Sequence, residues 1–211
     1  MAPKAYPEFD FVICHNNLPE FRLQQLTRTG VPMLEQTEDM SCVRHRDVDT
    51  CQDFAWKIIP PRLRFESHEL WVDNDLVIRD RIPAIDDWLQ RYTGIVSRGF
   101  ASLYGRFTDC IHPEIDCCAG FFGLPPFFDF QARIVELCGE EPLEGFDEQG
   151  LVVKVVSSIP GYIIVPYVNL RTWGHWQTEF KSDFPEGIHF CGANRTAFLT
   201  SWQYYKLISQ P

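Results

Sequence analysis

The sequence lacks an excess of basic residues, a long apolar run and a high density of cysteine. Its 211 residues include 19 Lys and Arg against 29 Asp and Glu, giving a net charge of −10. That balance excludes the basic surface typical of nucleic-acid-binding proteins. No stretch approaches the ~20 apolar residues that cross a bilayer. We therefore expect no transmembrane segment and no nucleic-acid partner.

Cysteine is also too sparse for a disulfide scaffold. The 8 cysteines lie mostly among apolar residues, which favours buried, reduced thiols and a cytoplasmic location. One local cluster combines cysteine with histidine but lacks the paired C-x₂-C spacing of a zinc site. We interpret this cluster as structural: Cys110, His112, Cys117 and Cys118.

What is present fits one globular domain over residues 1–211. Hydrophobic residues make up 45% of the chain, enough for a substantial core. Alternating apolar runs and helical periodicities predict an α/β fold with a largely parallel sheet flanked by helices. We expect strands over 9–14, 31–34, 68–73, 76–78 and 162–168, helices over 18–29, 54–59, 83–92, 128–138, 147–156 and 196–208, and a long loop over 35–53.

The sharpest chemical feature is an acidic pair, Asp73 and Asp75, after an apolar strand. Carboxylates two residues apart in extended chain point to the same side. The carboxyl ends of strands are also where α/β sheets bind ligands. Such a pair can hold a divalent cation against a diphosphate, although an isolated D-x-D is more often a solvated turn.

Three further elements accompany the acidic pair. Lys57 precedes it and could neutralise a phosphate. The segment Asp147-Glu148-Gln149 begins a predicted helix, where carboxylates are commonly dipole partners only. Near the end of the sequence, His189, Gly192 and Arg195 place an imidazole, a glycine and a guanidinium three residues apart. These groups suit a phosphate-binding segment.

Taken in order, these elements resemble the GT-A glycosyltransferases, most closely the retaining type that includes glycogenin and the lipopolysaccharide galactosyltransferases. In that family an early strand holds the nucleotide, and a lysine precedes D-x-D. A small-residue and glycine element, a D-Q pair and a late H-x-x-G-x-x-K follow. The matching segments here are 11–17, Lys57, Asp73-Asn74-Asp75, Cys118-Ala119-Gly120, Asp147 to Gly150 and His189 to Arg195.

The resemblance implies a GT-A, Rossmann-like fold with a mixed, mostly parallel central sheet. It implies transfer of a sugar from a nucleotide-diphosphate sugar, with UDP-sugar as the expected donor, to a saccharide or other hydroxyl acceptor. Asp73, Asp75 and His189 would bind Mn²⁺ or Mg²⁺. The implied donor-binding residues are His15, Asn16, Lys57, Asn74, Gly192 and Arg195, and the implied catalytic residues are Asp147, Glu148 and Gln149.

Departures from the family pattern leave the mechanism open. The late lysine is Arg195, Glu148 interrupts the D-Q pair, and Cys118 replaces a common asparagine. Glu148 could serve as the general base of an inverting enzyme. Two alternative functions are nucleotidyl transfer, which would normally bring a glycine-rich phosphate loop after the first strand, and a non-catalytic binding or scaffolding module.

Two aromatic segments are candidates for acceptor stacking. The first, 121–128, is rich in phenylalanine, and we favour a core role for it. The second contains Trp173 and Trp176 and is balanced between stacking and packing.

Overall fold

A computed structural model gives the fold of this protein. It describes residues 2–15, 18–35, 58, 62–99, 104–110, 115–139, 143, 147–174 and 185–191. Within these ranges the strands are β1 (Ile13–His15), β2 (Met33–Glu35), β3 (Glu69–Val72), β4 (Leu76–Ile78), β5 (Ile95–Arg98), β6 (Cys117–Leu124), β7 (Ile163–Val165), β8 (Leu170–Gly174) and β9 (Gly187–Cys191). The helices are α1 (Ala2–Ala5), α2 (Glu20–Thr27), α3 (Pro83–Trp88), a 3₁₀ helix (Gly105–Cys110), α4 (Phe130–Cys138) and α5 (Asp147–Ser157).

The strands form three sheets. The largest has the order β3-β6-β5-β7, the second has the order β4-β9-β8, and β1 pairs with β2. Three of the described pairings are parallel, namely β1 with β2, β5 with β7 and β8 with β9. The other three are antiparallel, namely β3 with β6, β4 with β9 and β5 with β6. The mixed α/β architecture is confirmed, with fewer parallel pairings than the sequence indicated.

Strand β6 forms the centre of the core. All eight of its residues are buried. Burial on both faces explains the continuous apolar run and the absence of an alternating pattern. On one face of β6, Phe122 packs with Phe130 of α4 in the core beneath α4 and α5. On the other face, Phe121 shares a core cluster with Trp88 of α3. The core role that we favoured for the first part of segment 121–128 is therefore confirmed.

Local sequence signals explain where several helices begin and end. Pro83 occupies the first turn of α3, where its missing N–H costs nothing. Asp129 caps α4 by accepting a hydrogen bond from the Ala132 N–H at 2.9 Å. Gly139, with φ of 65°, follows the last turn of α4, a conformation that favours glycine. None of the helices in the described ranges is long and apolar enough to cross a membrane.

Most predicted elements within the described ranges are present, with shorter ends. The strand predicted over 9–14 is limited to β1, and the helix predicted over 83–92 ends at Trp88. Strands β5, β6, β8 and β9 are not among the predicted strands. Of the loop predicted over 35–53, Glu35 ends β2 and the rest lies outside the described residues, as do most of the helix over 54–59 and the helix over 196–208.

Candidate metal centre

The acidic pair lies where β3 turns into β4. Asp73 follows the last residue of β3, and Asp75 precedes the first residue of β4. The Leu76 N–H donates to the Asp73 carbonyl at 3.1 Å, which closes the turn, and the Asp73 N–H donates to the Gly120 carbonyl at 2.8 Å. The turn is thereby fixed to β6, and both carboxylates keep partial access to solvent, with side-chain exposures of 23% and 32%.

Strand pairing brings His189 to this turn from more than 100 residues away in the sequence. His189 lies on β9 directly opposite Leu76 of β4. The Phe190 N–H donates to the Asp75 carbonyl at 3.0 Å. The His189 side chain is 2% exposed, and its Nε2 lies 3.2 Å from Asp75 Oδ1 and 3.6 Å from Asp73 Oδ2. The sequence-predicted metal residues are therefore adjacent in the fold.

The chemistry of this cluster suits a divalent cation. One ligand atom from each of the three residues lies within 4.8 Å of the others. At metal–oxygen distances of ~2.1 Å, neighbouring octahedral ligands are about 3 Å apart. Asp75 Oδ1 is buried and has no hydrogen-bond partner among the described residues, despite its proximity to His189. A buried carboxylate oxygen of this kind needs a partner, and a shared cation would supply one.

Gly120 and Cys118 complete the surroundings of the histidine. A Cβ at position 120 would lie 2.0 Å from His189 Cε1 and 2.8 Å from Asp73 Oδ2, so only glycine leaves room for the ring here. On the other side of the ring, Cys118 Sγ lies 3.6 Å from His189 Nδ1. Neither residue was predicted as part of the site. The only sequence signal was the small-residue and glycine element that contains both.

The donor-binding predictions fall partly within the described residues. His15 ends β1 and is buried, and its Nδ1 has no hydrogen-bond partner among the described residues. It is paired in register with Glu35 of β2. Asn74 is exposed in the turn between the two carboxylates. Trp176 lies outside the described ranges. So do the remaining predicted donor-binding residues, Asn16, Lys57, Gly192 and Arg195.

The predicted catalytic segment forms the first turn of α5. Asp147 and Glu148 are both 4% exposed, whereas Gln149 is half-buried. Asp147 Oδ1 accepts a hydrogen bond from the Arg106 N–H at 2.8 Å, and Arg106 Nε lies 3.9 Å from the other carboxylate oxygen. A Cβ at Gly105, where φ is 52°, would overlap Asp147 Oδ1. The Asp147 carboxylate is thus held by the 3₁₀ helix.

Tyr104 links this segment to β6, the strand that passes the candidate metal centre. Its hydroxyl oxygen accepts a hydrogen bond from the Cys117 N–H at 2.5 Å, and its carbonyl lies against Gly150 of α5. Burial raises the pKa of the Tyr104 hydroxyl to about 12 and that of the Cys117 thiol to about 12. Cys117 directly precedes Cys118, whose Sγ lies beside His189, so Tyr104 contacts both α5 and the start of β6.

Comparisons with known proteins bear on the fold. No family model and no curated protein matches the sequence. The structure is similar to the galactosyltransferase LgtC in complex with donor and acceptor sugar analogues, with 12% identity, 97% of this chain and 87% of that chain covered, and a TM-score of 0.58. An active-site mutant of LgtC gives 12% identity, coverages of 98% and 87%, and a TM-score of 0.58.

A third similar structure is a glycosyltransferase involved in the glycosylation of the major capsid of PBCV-1. It shows 14% identity and a TM-score of 0.48, with 92% of this chain and 98% of that chain covered. The two LgtC structures alone are sufficient to establish the fold. The chain has the α/β fold of the GT-A glycosyltransferases, as its sequence resemblance implied.

Proposed function

We propose that this protein is a metal-dependent glycosyltransferase that moves a sugar from a nucleotide-diphosphate sugar to an acceptor hydroxyl. The observation that carries the proposal is the cluster of Asp73, Asp75 and His189, whose ligand atoms lie within 4.8 Å of one another. The protein that carries this cluster has a fold similar to that of LgtC, which was crystallised with donor and acceptor sugar analogues.

In this proposal Asp73, Asp75 and His189 hold Mn²⁺ or Mg²⁺. Two carboxylates and one imidazole suit Mn²⁺ well, and Mg²⁺ accepts the carboxylates. When bound, such a cation supplies positive charge to the diphosphate that leaves the sugar. The partial exposure of both carboxylates gives a ligand access from one side, while the buried His189 closes the other.

The donor is proposed to be a UDP-sugar. His15 offers a buried ring at the carboxyl end of β1 with Nδ1 free of described partners, which suits a hydrogen bond to the nucleoside. We assign Asn16 to the same part of the donor. The phosphates and sugar are assigned to Asn74, beside the metal ligands, and to Lys57, Gly192 and Arg195.

The first turn of α5 is proposed to face the reacting carbon of the sugar. Gln149 is the least buried of its three predicted catalytic residues, and its amide oxygen could stabilise positive charge that develops on the sugar ring. Asp147, held by Arg106, would fix the start of the helix and add negative charge nearby. Glu148 is the candidate base if transfer proceeds with inversion; the family resemblance favours retention.

The acceptor is proposed to be a saccharide or another hydroxyl compound, and the location to be the cytoplasm. Cys14, Cys117, Cys118 and Cys138 are free thiols, which suits a reducing compartment.

Transfer begins when an acceptor hydroxyl is held close to the anomeric carbon, because positioning supplies much of the rate in such reactions.

A non-catalytic nucleotide-sugar-binding module is the second candidate. The observation that favours it is the engagement of the Asp147 carboxylate by Arg106, which leaves this acid less available for chemistry. Such a module would bind the donor through the same metal centre without turnover.

Calorimetry with nucleoside diphosphates tests the binding half of the proposal. We expect UDP to bind in the presence of Mn²⁺ and to lose most of its affinity in EDTA. Asp75→Asn should abolish the metal-dependent part. Asp80→Asn, which changes an exposed acid paired with Arg79, is the matched control and should bind as wild type. Equal UDP affinity with and without metal would contradict the proposal.

Product analysis by mass spectrometry tests the catalytic half. Wild type is incubated with Mn²⁺, a panel of nucleotide-sugars and simple saccharide acceptors. A glycosyltransferase should release the nucleoside diphosphate and, with a suitable acceptor, form a glycoside. Metal-dependent binding without any release of nucleotide would instead support the non-catalytic module.

A further inference from the structure

The buried ring of His189 rests on one face of β6. Cys118 and Gly120 are two residues apart on this strand, so both face the same side. Cys118 Sγ lies 3.6 Å from Nδ1, and the missing side chain of Gly120 leaves the space that Cε1 and Nε2 occupy. The two residues together define where the ring lies.

The position of this strand is itself fixed. Ser97 Oγ donates a hydrogen bond to the Cys118 carbonyl at 3.0 Å. The register between β5 and β6 shifts between Val96 and Ser97. Such irregularities commonly redirect side chains near functional sites. Here the shift occurs where β6 carries Cys118 and Gly120 past His189.

The two nitrogens of the histidine have different environments. Nε2 faces the carboxylates of Asp73 and Asp75, and Nδ1 faces sulfur. A histidine that binds a metal through one nitrogen normally donates the N–H of the other to a fixed partner, which sets the tautomer and ring orientation. The usual partners are carboxylates, carbonyls and water, whereas a cysteine sulfur lies closest in the contact described here.

We propose that Cys118 is a positioning residue for His189, accepting the Nδ1–H so that the Nε2 lone pair faces a divalent cation held with Asp73 and Asp75. This inference rests on the proposed metal site and adds a residue to it. It also gives a role to the position where Cys118 replaces the asparagine common in the family. Gly120 contributes space, and Cys118 contributes the contact that selects the tautomer.

Cys117 offers a matched control on the same strand. It is buried like Cys118, but its side chain belongs to the core beneath α4 and α5. Its Sγ lies near the Ile115 carbonyl. Truncating Cys117 therefore removes a comparable thiol from β6 on the face away from His189.

The first readout is Mn²⁺ affinity, measured by calorimetry without nucleotide. Cys118→Ala should bind Mn²⁺ about 10–100-fold more weakly, the usual cost of losing such a partner. Cys118→Ser, whose hydroxyl can still accept the Nδ1–H, should recover much of the affinity. Cys117→Ala should bind as wild type even if its thermal stability falls.

The second readout is the side-chain ¹⁵N spectrum of His189 in the metal-free protein, assigned by loss of its signals in His189→Gln. Cys118→Ala should shift these signals, and Cys117→Ala should leave them in place. Unshifted signals in Cys118→Ala would refute the contact. Shifted signals with wild-type Mn²⁺ affinity would refute the positioning role.

The outcomes also separate this inference from the proposed function. If wild type binds Mn²⁺ and Cys118→Ala binds it with the same affinity, the positioning role is wrong and the metal site stands. If wild type binds no Mn²⁺ with or without UDP, the metal site is wrong and the role of Cys118 is overturned with it. Equal weakening in Cys117→Ala would reveal a general effect on β6 and would also overturn the inference.

Discussion

Two acidic clusters in this protein look alike in the sequence and differ in their contacts. At the turn between β3 and β4, Asp75 Oδ1 is buried without a hydrogen-bond partner among the described residues. At the start of α5, Asp147 accepts a hydrogen bond from the backbone of Arg106 and lies beside its guanidinium. Among the described residues, one oxygen of the first cluster, Asp75 Oδ1, therefore has no donor, whereas the Asp147 carboxylate has one.

This difference separates ligand binding from folding. A buried carboxylate oxygen with no donor among the described residues, such as Asp75 Oδ1, costs stability until a cation arrives. A carboxylate that receives donors from a neighbouring helix stabilises that helix. Replacing one acid in each cluster should therefore produce opposite results in binding and stability measurements.

The largest effect is expected for Asp75→Asn. Loss of a carboxylate ligand should weaken Mn²⁺ binding by more than the ~10–100-fold caused by loss of an outer partner. The metal-free variant should unfold at the same denaturant concentration as wild type or a higher one, because repulsion with Asp73 is reduced. Calorimetry and urea denaturation measure the two quantities. A less stable variant with intact binding would reverse our interpretation of this cluster.

Gly120→Ala should have the next largest effect on metal binding. The new methyl group would meet Cε1 and Nε2 of His189 and Oδ2 of Asp73, so the ring must move. We expect at least ~10-fold weaker Mn²⁺ binding, comparable to loss of an orienting partner. Gly161→Ala is the control: its φ of 71° makes alanine unfavourable, but no atom of the described residues lies within 4 Å of the added methyl group. Unchanged Mn²⁺ binding in Gly120→Ala would show that the ring position is not critical.

Asp147→Asn should lower the free energy of unfolding and leave Mn²⁺ affinity unchanged. The substitution removes the charge that pairs with Arg106 and weakens a buried hydrogen bond, which costs about 1–3 kcal/mol. Urea denaturation should show this loss, and Mn²⁺ affinity should remain that of wild type. Weaker Mn²⁺ binding with unchanged stability would place Asp147 with the metal ligands and remove the contrast.

The smallest effect is a pH dependence of the free energy of unfolding, caused by two buried groups at the start of β6. The pKa values of Cys117 and Tyr104 are about 12 in the fold, above their ordinary values. The folded protein therefore retains these protons more strongly than the unfolded chain. The contribution of these two protonated groups to the free energy of unfolding is complete below about pH 9 and is lost as the pH rises toward 12.

We expect the free energy of unfolding to fall by about 1–2 kcal/mol between pH 8 and pH 10 through these two groups. Denaturation curves at each pH measure the slope. Cys117→Ala, which removes the group that titrates first in the unfolded chain, should give a shallower decline than wild type. Identical slopes in the two proteins would exclude this origin.

The proximity of the three candidate metal ligands was largely predictable from the sequence because two of them have local signals. Asp73 and Asp75 follow an apolar strand, and D-x-D is interpretable without knowledge of the fold. His189 lies far away in the sequence, and only the ordered family pattern placed it with them. The pairing of Leu76 with His189 is the structural reason why the imidazole lies beside the two carboxylates.

Other features depend on tertiary contacts that leave little local signal. Strand β6 is buried on both faces, so it has no alternation, and its glycines resemble those of a loop. The partnership of Arg106 with Asp147 joins residues 41 positions apart and had no detectable pattern. The contact between Cys118 and His189 was equally hidden, because a cysteine in an apolar strand usually indicates only burial.

The most direct test of the account is a crystal structure with Mn²⁺ and UDP, recorded at the manganese absorption edge. We predict an anomalous peak within bonding distance of Asp73, Asp75 and His189 Nε2, with the diphosphate oxygens on its exposed side. A manganese ion bound elsewhere, or UDP bound with these three side chains free of metal, would contradict the central claim.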